Sequence, residues 1–312
     1  MSELSLDEFS EDIPAAEFVE DSAPRLGHLS HSQISTYQSC PRMYYWRYER
    51  KIKTDPAAAM VFGSAIHATL ENNFSQKVLS RRDLPVSVSV KHFKDAWNRL
   101  ALTAVFDADK NESPENFLEQ GVAMIEKYQE EMSPNIMPKL VEVKFTLRLP
   151  GLRREILGFI DLVDDSDVII DHKTSKMQPN NVTLAKNTQL TLYKLAFRKK
   201  FGKEPGGLRY DYLIRQTNRD GSYKGISILP IPIEKNAASE AALIASYISV
   251  EKAIEMKHFH ANTGHFGCTP SGCGNWSACE GAILSGGDIS FLDDIAERQK
   301  AAYKRLIETG VA

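Results

Sequence analysis

The sequence predicts an α/β fold, a sheet with helices before and after it, and three observations predict it. Residues up to about 135 carry apolar side chains at helical spacing, as in Leu118, Val122, Ile125 and Met132. Near residue 140 the period changes, and from 141 to 149 apolar and polar residues alternate strictly, the signature of a strand with one face on a core. Beyond 150, strand-like and helix-like segments interleave, which completes the α/β pattern.

Residues 1–28 read as an acidic disordered tail, since residues 1–24 hold Glu3, Asp7, Glu8, Glu11, Asp12, Glu17, Glu20 and Asp21 and no Lys or Arg. Taking those eight from the chain's 41 acidic residues, against 38 basic ones, leaves the remainder at about +5. A sharper reading has the tail compete with a polyanion for a basic groove. Residues 29–138 form a mainly helical segment carrying Cys40 and His67; Ser30 or Ser32 caps its first helix, Ser113-Pro114 opens a later one, and Pro134 and Pro138 stop the run.

An α/β core follows over residues 139–235. Its strands are expected at 141–149, 156–163, 168–173, 210–215 and 225–233, with the acidic turn 164–167 between the second and third and a helix over 189–200. Residues 236–282 combine an Ala-rich helix (236–257) with the last three cysteines, and 283–312 hold an amphipathic helix from about 288 to 307.

With 312 residues, 42% hydrophobic and 25% charged, the chain can bury a sizeable core. No apolar run approaches the roughly 20 residues that span a bilayer, and the N-terminus lacks the basic and apolar regions of a signal peptide. The default expectation is a cytoplasmic protein without a membrane partner.

Three polar signatures carry the chemistry: Gly158-Phe159-Ile160-Asp161, then Asp171-His172-Lys173, then Gln189 with Tyr193. Alternation along a strand puts Asp171 and Lys173 on one face and His172 on the other, and Asp161 reaches the same point if the two strands pair. Two carboxylates with main-chain oxygen make a hard site suited to Mg²⁺ or Mn²⁺. Such a cation polarises a phosphate, and a lysine beside it stabilises developing charge, so phosphodiester hydrolysis is the expected reaction.

The ordered set His67, Glu142, Gly158-x-x-Asp161, Asp171-x-Lys173 and Gln189-x-x-x-Tyr193 resembles the RecB-like branch of the PD-(D/E)XK nuclease superfamily, with Asp171 where many members carry Glu. Residues 34–45, with Cys40-Pro41, and the element Gly63-Ser64-Ala65-Ile66-His67 also look like that branch, and the match covers roughly residues 29–280. The resemblance implies a restriction-endonuclease-like fold, a central mixed sheet flanked by helices. It implies His67, Asp161, Asp171 and the His172 carbonyl as metal ligands, Lys173 as the catalytic lysine, and Gln189 and Tyr193 lining the site. Glu142 is a weaker member of the set, because an exposed face explains it equally well.

The four cysteines are Cys40, Cys268, Cys273 and Cys279, and a thiolate metal site is a better starting point for them than two structural disulfides in a cytosolic enzyme. One N-terminal and three C-terminal cysteines resemble the iron–sulfur nucleases of the RecB-like branch, as in AddAB-type helicase–nucleases and CRISPR-associated adaptation nucleases. That implies a 4Fe-4S cluster stapling the two ends of the chain together. The spacing Cys268-x₄-Cys273-x₅-Cys279 departs from the usual x₂ and x₅, and His258, His260 and His265 lie close by, so Zn²⁺ is the alternative.

Residues 41–51 interleave aromatic and basic side chains, among them Arg42, Tyr45 and Arg47, as a groove for single-stranded nucleic acid requires; a helix packing large rings on a core looks the same. The expected function is a DNA exonuclease or single-strand/flap nuclease of recombination, repair or phage DNA processing. The alternatives are an RNA-directed nuclease and a non-catalytic binding or scaffold module. No phosphate loop Gly-x₄-Gly-Lys-Ser/Thr is present, so any unwinding falls to a helicase or recombination partner.

Overall fold

The computed structural model of the chain describes residues 27–107, 112–217, 223–270, 272–276 and 279. The expected tail up to residue 26 and the expected helix at 288–307 lie outside the described residues. The N-terminal half is helical: α1 (His31–Ser39), α2 (Pro41–Tyr44) running into a π-helical turn at Tyr45–Glu49, α3 (Ala58–Ser80), α4 (Val86–Leu100) and α5 (Pro114–Glu131). Then come β1 (Pro138–Leu147), β2 (Ile156–Asp164), β3 (Val168–Ser175), α6 (Asn181–Lys186), α7 (Gln189–Phe201), β4 (Gly207–Thr217), β5 (Tyr223–Pro232) and α8 (Ala237–Glu255).

Local chemistry explains the boundaries. Ser30 caps α1 in a capping box, its side chain accepting from the Gln33 N–H while Gln33 Oε1 accepts from the Ser30 N–H. Ser113 caps α5 with Pro114 at the first helical position, and Asn236 caps α8. Gly202, at φ 69°, takes the left-handed conformation that ends α7.

The sheet has the order β1-β2-β3-β4-β5; β3 and β4 are parallel and the other neighbours antiparallel. A parallel step needs a crossover, which α6 and α7 supply. This is a mixed five-stranded sheet with helices on both faces, as expected. One face carries a core of Ile34, Phe145, Ile160, Leu192, Tyr210 and Tyr247, shared with α1, α7 and α8. The other carries Phe62, Phe74, Trp97, Tyr128, Leu162 and Ile170, shared with α3, α4 and α5. Leu29 adds a parallel bridge to Ile156, tying the start of the described chain to β2.

The strict alternation read over 141–149 needs a correction at its first residues. Val143, Phe145, Leu147 and Leu149 do share the first core, but Val141 packs in the second and Leu140 in the first. The same slip occurs on β2, where Ile160 and Val163 face the first core and Leu162 the second. Both slips fall at one row, where Glu142 adopts φ 46°, a left-handed conformation that costs a non-glycine residue roughly 1–3 kcal/mol. Farther along the hairpin Gly158 sits across from Phe145, and a Cβ there would lie 2.5 Å from the Phe145 ring.

Candidate active site

Strand register gathers the acidic residues. β1 and β2 pair at Val141↔Leu162 and Val143↔Ile160, so Glu142 falls across from Asp161. β2 and β3 pair only at Leu162↔Ile170 and Val163↔Ile169, and the next step sets Asp161 across from Asp171. Three carboxylates thus occupy one row across three adjacent strands, an arrangement that like-charge repulsion disfavours unless a cation compensates it.

The β2–β3 ladder stops where Asp161 intervenes. Its Oδ2 accepts the His172 backbone N–H at 3.2 Å, and the strands part beyond that point. His67, from α3, places Nδ1 3.3 Å from the same oxygen. Burial works to raise the Asp161 pKa, but the His67 contact and the fields of His172 and Lys173 hold it below its usual value. For His67 burial pulls downward, and Asp161 with Asp171 outweighs it, so its pKa rises.

Asp171 is fully buried. Lys173 Nζ lies 2.6 Å from its Oδ2 and pairs with it, while Oδ1 has no partner. The lysine instead donates to Gln189 Oε1 at 2.7 Å, and Gln189 Nε2 donates to the Tyr193 hydroxyl at 2.7 Å. Residues four apart on α7 therefore act as one bracket that aims the ammonium. Burial pushes Asp171 up to about 6, with Lys173 opposing and Asp161 adding to the rise. Burial also works against the charge on Lys173, yet Asp171 and Asp161 win and its pKa is raised, so it stays cationic at neutral pH.

Glu142 is pushed up to about 7 by burial, then by Asp161 and by Glu71, one helical turn beyond His67 on α3. Glu71 had no motif to announce it; its i+4 spacing from His67 is the signal that would have found it. His172 points away from Asp171, as alternation requires, into the second core, where its Nε2 meets Tyr128 Oη at 2.9 Å. Tyr128 donates to Asp211 Oδ2 at 2.8 Å, and Arg209 grips Asp211 through two contacts of 2.7 and 3.0 Å. With the tyrosine proton given to Asp211, its oxygen accepts from His172 Nε2, which fixes the tautomer; burial, moreover, lowers the His172 pKa to about 4 and keeps the ring neutral. Tyr128, Asp211 and Arg209 were not foreseen, because Tyr128 on α5 meets the Arg209–Asp211 pair of β4 only through the fold.

The four cysteines approach one another at the far end of α1 and α8. Cys40 Sγ accepts the Asn262 N–H at 3.5 Å, and the Arg42 N–H donates to the His260 carbonyl, so the chain after α8 is laced to α2. Burial raises the Cys268 pKa, followed by the fields of Cys279 and Cys40. Burial likewise raises Cys273, which also senses Cys279, Cys40 and Cys268. Arg42 and Tyr45 line a cavity of about 660 Å³ with Tyr37, Lys257, Phe259 and His260, while Arg47 is exposed outside that lining. Tyr45 and Arg47 both lie on the π-helical turn, a local geometry that recurs at functional sites.

Among the described residues no three His, Cys, Asp or Glu side chains close into a ready ligand set. The donor chemistry of the acidic row nonetheless fits a hard cation: Asp171 is buried with Oδ1 unpartnered and Oδ2 met only by Lys173, and a second carboxylate stands across from it.

The sheet, with its acidic row and bracketed lysine, fits a nuclease. The chain belongs to the PD-(D/E)XK nuclease superfamily, whose family model matches residues 28–280. Members of that superfamily typically use Mg²⁺ or Mn²⁺. Two solved structures resemble it in part. A protein of Eubacterium rectale, provisionally described as an exonuclease, is 12% identical with a TM-score of 0.47, covering 74% of this chain and 80% of its own. A protein named SSO0001 is 10% identical with a TM-score of 0.30, covering 81% of this chain and 96% of its own. No curated protein matches the chain. Among the described residues no helix is long and apolar enough to cross a membrane.

Proposed function

We propose that this nuclease is a divalent-metal-dependent DNA nuclease of the RecB-like branch. It would act as an exonuclease or a single-strand or flap nuclease in recombination, repair or phage DNA processing, beside a helicase or recombination partner. The observation that carries the reading is the row Glu142, Asp161, Asp171 with Lys173 beside it, because three facing carboxylates stay ionised together only around positive charge. Asp161, Asp171, His67 and the His172 carbonyl would hold Mg²⁺ or Mn²⁺, which supplies Lewis-acid polarisation of the phosphate.

The chain's own residues do the rest. Lys173, cationic and aimed by Gln189 and Tyr193, donates to the oxygen on which charge develops; its raised pKa suits it to that role and not to that of a base. Glu142, at about 7, is placed across from Asp161 to take up a proton. Arg42, Tyr45 and Arg47 would contact the incoming strand. Cys40, Cys268, Cys273 and Cys279 would hold a 4Fe-4S cluster, with Zn²⁺ as the alternative occupant, and so clamp the chain ends.

The test is an end-labelled cleavage ladder on single- and double-stranded DNA with each metal, with RNA as competitor and Asp171→Ala and Lys173→Ala as controls. Cleavage lost in both variants is expected. Full activity in Asp171→Ala, or no cleavage of any substrate, rejects turnover and leaves the scaffold reading.

A further inference from the structure

Phe159 is 45% exposed on β2, two residues before Asp161, although a large apolar ring in mid-strand is normally covered. Gly158 and Ile160 turn toward the first core, so Phe159 lies on the opposite face, the side from which His67 on α3 reaches Asp161. Directly across from it on β1 stands Lys144, also exposed. From α7, Lys200 donates its Nζ to the Lys144 carbonyl at 3.1 Å, which brings a second ammonium to the same point of the edge strand. Neither lysine makes an ion pair with a carboxylate among the described residues. Two rungs along the hairpin from the acidic row, the chain therefore sets an uncovered ring next to a lysine, with a second lysine at the edge strand, beside the gap where β2 and β3 part.

We propose that Phe159 is a stacking platform for the nucleobase adjoining the cleaved phosphodiester, with Lys144 and Lys200 holding the phosphates that follow. The inference rests on the nuclease reading and adds to it a subsite for an unpaired strand. Two residues of strand advance about 6.8 Å, on the scale of one nucleotide step in an extended single strand, so base and scissile phosphate can be engaged together. An aromatic face accepts every base, so the subsite gives affinity for unpaired ends without sequence preference, and the lysines make that affinity salt-dependent.

The experiment measures binding of a fluorescent single-stranded oligonucleotide in Ca²⁺ and its cleavage in Mg²⁺ and Mn²⁺. The proteins are wild type, Phe159→Ala, Phe159→Trp and the double variant Lys144→Ala/Lys200→Ala. Phe159→Ala should bind about tenfold more weakly and raise KM more than it lowers kcat; Phe159→Trp should restore binding. The double lysine variant should flatten the dependence of affinity on salt. On strands carrying one abasic nucleotide, scanned along the sequence, the Phe159→Ala deficit should vanish at the position beside the cleaved bond. A Phe159→Ala protein that binds like wild type, or a deficit that persists at every abasic position, overturns the platform while the nuclease reading stands. A wild type that binds but never cleaves, with the Phe159 effect intact, overturns turnover and leaves the platform. No binding by wild type overturns the platform.

Discussion

The acidic row and the cysteine corner are the two places where this chain gathers metal-seeking side chains, and they are built by different means. The row is set by strand register: once β1, β2 and β3 pair, Glu142, Asp161 and Asp171 have nowhere else to go. The corner is set by loops, with Cys268, Cys273 and Cys279 held by turn hydrogen bonds and Cys40 reached through Asn262. A site written into a sheet is preorganised at the cost of buried, mutually repelling charge. A site written into loops has little of that cost and depends on its occupant for rigidity.

The sharpest way to break the comparison is at the row. Asp171→Ala and Lys173→Ala should each lower kcat on end-labelled DNA about a thousandfold, because each removes charge at the reacting phosphate, while leaving the cysteine-bound metal content unchanged. At the corner the reverse is expected. Cys279→Ser should empty the cysteine site in metal analysis and lower stability to denaturant by about 3 kcal/mol, the scale of an interaction that staples two chain ends, with a smaller loss in kcat.

A subtler contrast concerns the cost of the buried carboxylate. The folded pKa of Asp171, raised to about 6 from the model-peptide value of 3.8, means the folded protein takes a proton before the unfolded chain does. Its ionisation therefore weakens the fold as pH rises from about 4 to about 6, and that loss is relieved as pH falls back to 4. Asp171→Asn should stabilise the metal-free protein by about 2 kcal/mol at pH 7.5, and the gap to wild type should narrow as the buffer is taken below pH 6 and close near pH 4. Adding Mg²⁺ should raise the melting temperature of wild type and not of the variant. If the two melt alike at both pH values, Asp171 is not held in the costly state described.

The smallest effect is expected at Tyr128. Tyr128→Phe removes the hydroxyl that joins His172 to Asp211 but leaves the ring in the core, so the metal concentration for half-maximal cleavage should rise about tenfold with kcat at saturation little changed. An unchanged metal titration would make that network a packing device alone.

What could be read from the sequence follows the range of the interactions involved. Asp161, Asp171, Lys173, Gln189 and Tyr193 announce themselves through short spacings on single elements, and the structure brings all five together. Ser113-Pro114 and the strand periods were visible for the same reason. The reset of faces at Glu142 was not, since polarity alone does not show a left-handed residue, and Val141 looked like the first of a single-faced series. Tyr128, Asp211 and Glu71 matter only through partners distant in sequence, and Phe159 passed as one more apolar residue of a strand until its exposure was known.

The paired slip on β1 and β2 has a consequence for how this fold can be recombined. Each strand changes the core it faces at the same rung, so a transplanted β1 facing an ordinary β2 would deliver Val141 or Val143 to the wrong core. The two strands can be inherited, grafted or redesigned only together, as one hairpin cassette with Gly158 and Phe145 travelling in it.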